Sequence, residues 1–217
     1  MQEMITVTGM ILSQIPIGDY DRRVCILTRE RGKISAFAKG ARRQGSRLMA
    51  GTNPFCFGQF KLYQGKTSYN IMEASIDQYF ESLRDDFVAA YYGMYFLEIA
   101  DYYTRENNDE LLMLKLLYQS MRALVHPGID NRLVRCIYEI KAVVVNGEFP
   151  GLSDNRNWDE STRYAVQFIE SASIEKLYSF KVSDNVLIEL SDIGDTLRER
   201  FFQKEYKSLE ILETLTN

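Results

Sequence analysis

The chain is poor in the residues that build metal sites and disulfide frameworks. Its 217 residues include one histidine and three widely spaced cysteines, and they contain no CxxC pair. A zinc site needs about four ligands at short, recurring spacings, so we expect none here. The odd number of distant cysteines, Cys25, Cys56 and Cys136, predicts buried, reduced thiols in a cytoplasmic protein.

Long apolar runs and an export signal are also missing. Every uncharged apolar run is far shorter than the roughly 18 residues that a membrane-spanning helix requires. The first residues, Met-Gln-Glu-Met-Ile, lack the basic region and apolar core of a signal peptide. We therefore expect a cytoplasmic location and no membrane partner.

Recognisable catalytic motifs are absent too. There is no P-loop, and the single histidine, His126, precedes a Pro-Gly helix stop. The carboxylate pairs Asp85/Asp86 and Asp192/Asp195 fall at predicted helix starts or on helix faces, where capping is the expected role. The sequence therefore predicts a protein that is not an enzyme and that carries no cofactor.

Basic residues are concentrated at one end of an acidic chain. The net charge is −4, but residues 1–80 contain 11 Lys and Arg against 6 Asp and Glu, a net charge of +5. Residues 81–217 carry the other 15 Lys and Arg and 24 Asp and Glu, a net charge of −9. A basic module joined to an acidic body is typical of proteins that bind nucleic acid through one surface.

The first third of the chain predicts a small β-barrel. Short β-rich runs separated by turn signals occupy residues 5–13, 24–28, 33–38, 55–63 and 67–74. Five strands with a long connection between the third and the fourth fit a Greek-key barrel of the OB type, and an SH3-like barrel fits the same pattern. We place this predicted domain at residues 1–78.

Helical periodicity dominates the rest of the chain. Apolar residues recur at helical spacing in 85–100, 108–124, 130–145, 160–171, 174–180, 184–203 and 207–215. The second predicted domain, residues 79–217, is therefore an α-helical body, interrupted by a polar loop at 148–158. The predicted fold class is α+β, with an N-terminal OB-type barrel followed by helices.

The strongest chemical signal is the segment Gly32–Leu48, in which a strand runs into a glycine-punctuated loop with three arginines and no carboxylate. Strand alternation places Ile34, Ala36 and Ala38 on one face. The opposite face carries Lys33, Ser35, Phe37 and Lys39. Cations beside a ring suit single-stranded nucleic acid, because they contact phosphates while the ring stacks on a base. The pattern also allows Phe37 to pack in the barrel core.

Nine residues form the candidate nucleic-acid-binding set. They are Arg22, Arg23, Lys33, Phe37, Lys39, Arg42, Arg43, Arg47 and Lys66. Clustered arginines on a loop supply charge-assisted, often bidentate contacts to phosphate. Two simpler roles stay open for these cations, since the loop arginines could merely keep an edge strand soluble, and Asp19 or Asp21 could pair with a neighbouring arginine.

These segments together resemble the RecO family of bacterial recombination-repair proteins. The main matches are Gly18-Asp-Tyr-Asp-Arg-Arg-Val, Leu27-Thr-Arg-Glu-Arg-Gly-Lys-Ile-Ser-Ala and Ala38-Lys-Gly-Ala-Arg-Arg-Gln-Gly-Ser-Arg-Leu. Shorter matches are Gly9-Met-Ile-Leu-Ser, Pro54-Phe, Leu62-Tyr-Gln-Gly-Lys, Leu83-Arg-Asp-Asp and Lys207-Ser-Leu-Glu-Ile-Leu, so the resemblance covers nearly the whole chain.

One departure from the family pattern concerns zinc. Many members carry a four-cysteine zinc motif in the loop that corresponds to residues 148–158, and this chain has no cysteine there. The resemblance therefore implies that the zinc motif is absent and its lobe lost or shortened. We expect packing by Phe149 and Trp158 to stabilise the loop instead.

The resemblance implies a non-enzymatic recombination mediator associated with the nucleoid. Such a protein binds single- and double-stranded DNA and anneals complementary strands. With RecR, it helps RecA to load onto DNA covered by single-strand-binding protein. The net acidity and the missing zinc motif keep a second interpretation open, an adaptor that bridges RecR and single-strand-binding protein with little DNA affinity of its own.

A second candidate surface lies near the C-terminus. The acidic, apolar C-terminal tail of single-strand-binding protein would suit a hydrophobic groove with a cationic rim. Cations lie near aromatic rings in a segment that contains Arg198, Phe201, Phe202, Lys204, Tyr206 and Lys207. A plain amphipathic helix accounts for the same residues.

Overall fold

The computed structural model describes residues 3–65, 68–153 and 156–216, and the chain divides into two compact units. Met1–Glu81 with Leu97–Leu114 forms one unit, which we call the barrel unit. Ser82–Phe96 with Lys115–Asn217 forms the other, which we call the helical unit. Strands followed by helices confirm the predicted α+β class. The predicted domain boundary between residues 78 and 79 stays a prediction.

Five strands form one closed barrel. They are β1 Glu3–Ile17, β2 Asp21–Thr28, β3 Gly32–Ala38, β4 Phe57–Gln64 and β5 Tyr69–Gln78, with a short helix α1, Leu48–Gly51, before β4. Their order is β1-β2-β3-β5-β4, and β4 pairs with β1 to close the barrel. Every pair is antiparallel except β3 with β5. This OB-type barrel confirms the predicted class and excludes the SH3-like alternative.

Alternation along the strands fills the barrel interior with apolar side chains. The predicted inner face of β3, consisting of Ile34, Ala36 and Ala38, is buried and therefore confirmed. Other members of the same buried cluster are Val7, Ile11, Val24, Ile26, Phe60, Leu62, Tyr69 and Ile71. Each strand gives only every second residue to this core, so the residues between them face outward and form the barrel surface.

Two facing glycines let neighbouring strands of the barrel approach closely. Gly9 pairs with Gly58, and a Cβ added at Gly58 would lie 2.2 Å from the carbonyl oxygen of Ser75. Because that oxygen belongs to the backbone of β5, the strand itself would have to shift. We expect Gly58→Ala to lower the free energy of unfolding by roughly 1–3 kcal/mol, the usual cost of overpacking.

Urea unfolding of Gly58→Ala beside Gln59→Ala checks this prediction. Gln59 is the exposed neighbour on the same strand, and its truncation should change stability by less than about 0.5 kcal/mol. Equal effects of the two substitutions would contradict the close-approach argument.

The rest of the described chain consists of helices and the loops that connect them. They are α2 Ser82–Asp85, α3 Phe87–Tyr103, α4 Leu111–Leu124, α5 Asn131–Val145, α6 Glu160–Ser171, α7 Asp184–Phe201 and α8 Lys207–Thr216. The predicted bounds of α5 are confirmed, since the Asp130 carboxylate accepts a hydrogen bond from the Arg132 amide (2.8 Å) and the helix ends at Val145. In the described part of the chain, no helix combines the length and apolarity needed to cross a membrane.

The helix predicted at 174–180 is wrong. Only a 3₁₀ turn forms there, at Ile174–Lys176. Seven residues give few intrahelical hydrogen bonds to offset the cost of nucleation, so a short apolar pattern does not by itself produce an α-helix.

A buried ion-pair network connects helices within the helical unit. Glu139 on α5 is fully buried, and its Oε1 accepts hydrogen bonds from the Tyr95 hydroxyl (2.7 Å) and the Arg135 guanidinium (2.9 Å). Arg135 also donates to Asp195 on α7 (2.7 Å). Burial, and then the negative charge of Glu139, raise the pKa of Tyr95 well above its ordinary value, so the hydroxyl stays protonated and donates. The network therefore fixes the relative positions of α3, α5 and α7 within this unit.

Packing around Trp158 holds the described residues of the cysteine-free loop, 148–153 and 156–158. Trp158 is 9% exposed, its indole N–H donates to the Ser153 carbonyl (3.1 Å), and the Arg156 guanidinium lies 4.3 Å from its ring centroid. Half-buried Phe149 lines a cavity of about 390 Å³ together with Trp158. The predicted packing role of Trp158 is confirmed, and that of Phe149 stays a prediction. Within the described residues, no three His, Cys, Asp or Glu side chains form a group that could hold a metal ion.

Candidate nucleic-acid interface

The outer surface of the barrel unit has a covered half and an open half. On the covered half, the segment Leu97–Leu114 of the same unit lies beside the start of β3, where the Lys33 amide donates to the Arg105 carbonyl (2.9 Å). The Lys33 ammonium donates to the Asp101 carbonyl and carboxylate, with 3.1 Å between Nζ and Oδ1. Asp101 therefore balances the charge of Lys33, whose phosphate contact stays a prediction.

Two of the three cysteines, Cys25 and Cys136, are held in the protonated form. Cys56 and Cys136 are buried, as predicted, whereas Cys25 is half-buried beside Asp101, and none of the three forms a disulfide. Burial, and then the Asp101 charge, raise the pKa of Cys25 to about 12. Burial, and then Glu139, raise the pKa of Cys136 to about 12. Neither thiol supplies a nucleophile or a metal ligand at neutral pH.

Five exposed cations occupy the open half, and we call them the basic face. They are Arg23 on β2, together with Lys39, Arg42, Arg43 and Arg47 on the connection between β3 and α1. None of the five forms an ion pair with any carboxylate in the described ranges 3–65, 68–153 and 156–216. Unpaired cations that are close together create a positive potential, which attracts polyanions.

The turn between β1 and β2 and the first residue of β2 hold in place the arginine loop, by which we mean residues 39–47 between β3 and α1. The Asp21 carboxylate accepts a hydrogen bond from the Gly40 amide (2.7 Å). The Arg42 amide donates to the Tyr20 carbonyl (2.8 Å), and the Arg42 guanidinium donates to the Gly18 carbonyl (3.0 Å). Arg43 lies 4.9 Å from the Tyr20 ring centroid. These contacts orient the loop before any ligand binds, which reduces the loss of conformational entropy on binding.

Arg22, another member of the predicted set, has an internal role. It follows the inward alternation of β2, and its Nη1 donates to the Met49 carbonyl (2.8 Å), the Thr52 hydroxyl (2.9 Å) and the Asn53 amide oxygen (3.1 Å). Burial, and then the charge of Arg42, lower the pKa of Arg22. The side chain ties β2 to the segment around α1, so it supports the loop rather than extending the basic face.

A row of outward-facing residues crosses the open half. The strand register aligns Ile15, Arg23, Phe37, Asn70 and Tyr63 across β1, β2, β3, β5 and β4. Phe37 is half-buried and lies outside the barrel core, which leaves base stacking as a prediction for its ring. Sequence reasoning missed Asn70 and Tyr63, because only the pairing of β5 with both β3 and β4 puts them beside Phe37. Lys66, the last predicted residue, lies outside the described residues.

Several residues of the candidate partner segment near the C-terminus are buried or paired within the helical unit. Phe202 and Tyr206 are 2% and 4% exposed, and Tyr206 packs edge-on against Tyr95, with ring centroids 5.3 Å apart. Arg198 is paired with Asp195 (3.1 Å) and Glu213 (3.4 Å). These three side chains therefore form part of the core and of its ion-pair network.

The exposed remainder of that segment carries charges of both signs. A cavity of about 340 Å³ lies here, and its lining combines the carboxylates of Glu199, Glu205, Glu210 and Glu213 with the cations of Arg198 and Lys204. Lys204 and Lys207 are exposed, while Phe201 is half-buried, with the Arg200 guanidinium 5.0 Å from its ring centroid. The four carboxylates around the cavity repel an acidic tail, and its binding to this segment stays a prediction.

The closed five-stranded barrel places this protein in the OB class. Members of the OB class bind oligonucleotides on the face of strands 2 and 3 and on the loops between strands 1 and 2 and between strands 4 and 5. Arg23 lies on β2, and the loop that carries Arg42 is bonded to the turn between β1 and β2. Residues 1–80 match the family described as Recombination protein O N terminal, and residues 84–155 match Recombination protein O C terminal. The chain belongs to the RecO family.

Individual relatives match along nearly the whole chain. DNA repair protein RecO of Acetivibrio thermocellus is 25% identical in an alignment that covers 96% of each chain. The protein of the same description from Clostridium novyi is 27% identical and covers 95% of this chain and 93% of its own. The one from Alkaliphilus metalliredigens is 30% identical over 69% of this chain and 61% of its own. The family is thus one of DNA repair and recombination proteins.

Proposed function

We propose that this protein is a non-enzymatic recombination mediator of DNA repair that binds DNA through the basic face. It binds single- and double-stranded DNA, promotes annealing of complementary strands and, with RecR, supports loading of RecA onto DNA covered by single-strand-binding protein. It acts in the cytoplasm, at the nucleoid. Residues 1–78 form its DNA-binding domain and residues 79–217 its helical domain.

The basic face is the observation that carries this proposal. Its five cations are exposed and have no carboxylate partner among the described residues. Arg23 lies on β2, within the face of strands 2 and 3 that OB-type barrels use for oligonucleotides, and the other four lie on the connection that follows β3. Arg23, Lys39, Arg42, Arg43 and Arg47 are therefore the principal phosphate contacts that we propose. Arg22 supports the loop, and Lys33 contributes less because Asp101 balances its charge.

Annealing follows from the same electrostatics. Two complementary strands repel each other through their phosphates, and a surface that neutralises several phosphates lowers this repulsion and releases condensed counterions. Such a surface contacts the backbone, so it accepts strands of any sequence. No covalent step is required, which is why we propose a mediator and not an enzyme.

An adaptor with little DNA affinity is the second candidate. The net charge of −9 over residues 81–217 favours it, because an acidic body repels DNA. In that case RecR and single-strand-binding protein would be the main ligands, and the barrel would meet DNA only inside a larger complex.

A salt series separates the two candidates. We expect the affinity of the wild-type protein for a short single-stranded oligonucleotide, measured by fluorescence anisotropy, to fall by about 100-fold between 0.05 and 0.2 M salt. Five single-strand phosphate contacts give a slope of roughly −3.5 in log K against log salt. Acceleration of annealing between complementary oligonucleotides should weaken over the same range. Weak binding with a shallow slope would contradict the mediator and favour the adaptor.

A further inference from the structure

The outward row across β3, β5 and β4 contains two aromatic rings with an amide between them. We propose that Phe37, Asn70 and Tyr63 form a base-stacking platform that makes the barrel unit prefer single-stranded over double-stranded DNA. This inference rests on the proposed function, and it adds to that function the part of the ligand that is recognised, namely unpaired bases.

The strand register brings the three residues together. Phe37 pairs with Asn70 between the parallel strands β3 and β5, and Asn70 pairs with Tyr63 between the antiparallel strands β5 and β4. Neighbouring strands are about 4.8 Å apart, so the Cα atoms of the two ring-bearing residues are roughly 10 Å apart. Both rings therefore lie within reach of one short stretch of a single strand.

Strand alternation directs the three side chains outward. Their chain neighbours Ala36, Leu62, Tyr69 and Ile71 belong to the buried barrel cluster. Phe37, Asn70 and Tyr63 are each half-buried, and none is a member of that cluster. Part of each side chain contacts the barrel surface and part is exposed, so the rings are positioned by the sheet and still open to a ligand.

The row joins the basic face at its β2 end. Arg23 lies directly beside Phe37 in the strand register, and Lys39 follows at the first position after β3. Cations next to rings allow one strand to place its phosphates on the basic face and its bases on Phe37 and Tyr63. Between the rings, the Asn70 amide offers both a donor and an acceptor to the edge of a base.

Duplex DNA cannot use this platform. Its bases are stacked on each other and paired, so a duplex offers only its phosphates to the barrel unless base pairs open. Base–aromatic stacking is favourable for every base, so the platform is sequence-tolerant, as a mediator requires. The selectivity between single strands and duplex therefore comes from the rings, while the cations serve both ligands.

Substitution of the rings by leucine tests the proposal. We expect Tyr63→Leu and Phe37→Leu each to lower the affinity for a single-stranded oligonucleotide by about 5- to 150-fold. The affinity for a blunt duplex of the same length should change by less than about twofold. The matched control is Tyr164→Leu in the helical unit, an aromatic residue that is 72% exposed and distant from the row in sequence.

Fluorescence supplies an independent readout. In Tyr63→Trp the new indole takes the place of the stacking ring, and the only native tryptophan is Trp158. We expect single-stranded DNA to quench the additional emission of this variant relative to wild type, and duplex DNA to leave it unchanged. This measurement remains informative even where a leucine variant folds poorly, since it retains an aromatic ring.

The possible results distinguish this inference from the proposed function. Equal losses of single-strand and duplex affinity in the leucine variants, or equal quenching by both ligands, would overturn the platform. Unchanged single-strand affinity in the leucine variants, together with loss of binding in Arg42→Glu/Arg43→Glu, would overturn the platform and leave the proposed function intact. Absence of DNA binding by the wild-type protein would overturn both.

Discussion

The double substitution Arg42→Glu/Arg43→Glu is expected to lower the affinity for a short single-stranded oligonucleotide by about 50- to 100-fold at 0.05 M salt. Two single-strand phosphate contacts contribute roughly −1.4 to the slope of log K against log salt. Between a reference of about 1 M salt and 0.05 M salt, that slope corresponds to roughly 50- to 100-fold in affinity. Fluorescence anisotropy across a salt series measures both quantities. The variant should show a lower affinity and a flatter slope than wild type.

The fold should tolerate this change, because both side chains are exposed. The guanidinium of Arg42 makes one hydrogen bond to a carbonyl and that of Arg43 lies over the Tyr20 ring, so we expect thermal stability to stay close to that of wild type. A loss of affinity with unchanged thermal stability would therefore show that the substitution changes the binding surface and leaves the fold intact.

The matched control is Arg122→Glu/Arg163→Glu. Both arginines are exposed in the helical unit, and the substitution changes the net charge by the same amount. Only a small loss of affinity is expected, because neither arginine belongs to the basic face. Equal losses of affinity in the two double variants would show that overall charge, and not the basic face, governs binding. If the affinity of the Arg42→Glu/Arg43→Glu variant equalled that of wild type, the loop would not be part of the DNA-binding site.

Glu139→Ala is expected to produce the largest loss of stability, about 3–5 kcal/mol in the free energy of unfolding. The carboxylate is fully buried and accepts hydrogen bonds from Tyr95 and Arg135. Its removal leaves the Arg135 charge, whose side chain is only 17% exposed, with Asp195 as its remaining partner. Breaking one member of a buried pair is costly because the other member keeps its desolvation penalty.

Tight packing around Glu139 adds to this cost. A Cβ added at Gly194 on α7 would lie 2.4 Å from Glu139 Oε2, so the glycine is what allows α7 to approach the carboxylate. For a chain of this size, the loss corresponds to a decrease in Tm of about 6–20 °C. Differential scanning calorimetry measures it, and Glu139→Gln, which keeps the volume and removes the charge, should fall between wild type and Glu139→Ala.

An exposed ion pair serves as the comparison for Glu139→Ala. Arg156 and Asp192 are 2.6 Å apart, and their side chains are 50% and 43% exposed. Asp192→Ala should therefore cost at most about 1 kcal/mol, since solvent screens such pairs. If Glu139→Ala cost no more than Asp192→Ala, the buried network would not hold the helical unit together.

Local patterns were sufficient to predict most secondary structure. The alternation of Ile34, Ala36 and Ala38 identified the inner face of β3, and the bounds of α5 were readable from Asp130 and from the Asn-Gly that follows Val145. Such signals depend on residues a few positions apart, and strand and helix geometry fixes what those residues do. The helix predicted at 174–180 was wrong because a short pattern does not determine whether nucleation succeeds.

The roles of individual side chains were less predictable. Arg22 and Arg23 are adjacent and have the same chemistry, yet Arg22 bonds to the segment around α1 while Arg23 is exposed. Lys33 pairs with Asp101, 68 residues away. Phe202 and Tyr206 resemble a binding surface in the sequence and are core residues in the structure. Each outcome depends on a partner that is distant along the chain.

The sequence by itself determined the α+β class, the division between a basic N-terminal module and an acidic body, and membership of the RecO family. These properties follow from composition, periodicity and motifs, all of which are local. Only the tertiary structure decided which cations stay unpaired on the basic face and which rings share the row through Phe37 and Tyr63. The reason is that strand register and long-range ion pairs form only when distant segments meet, and the pattern of any one segment does not encode its partner.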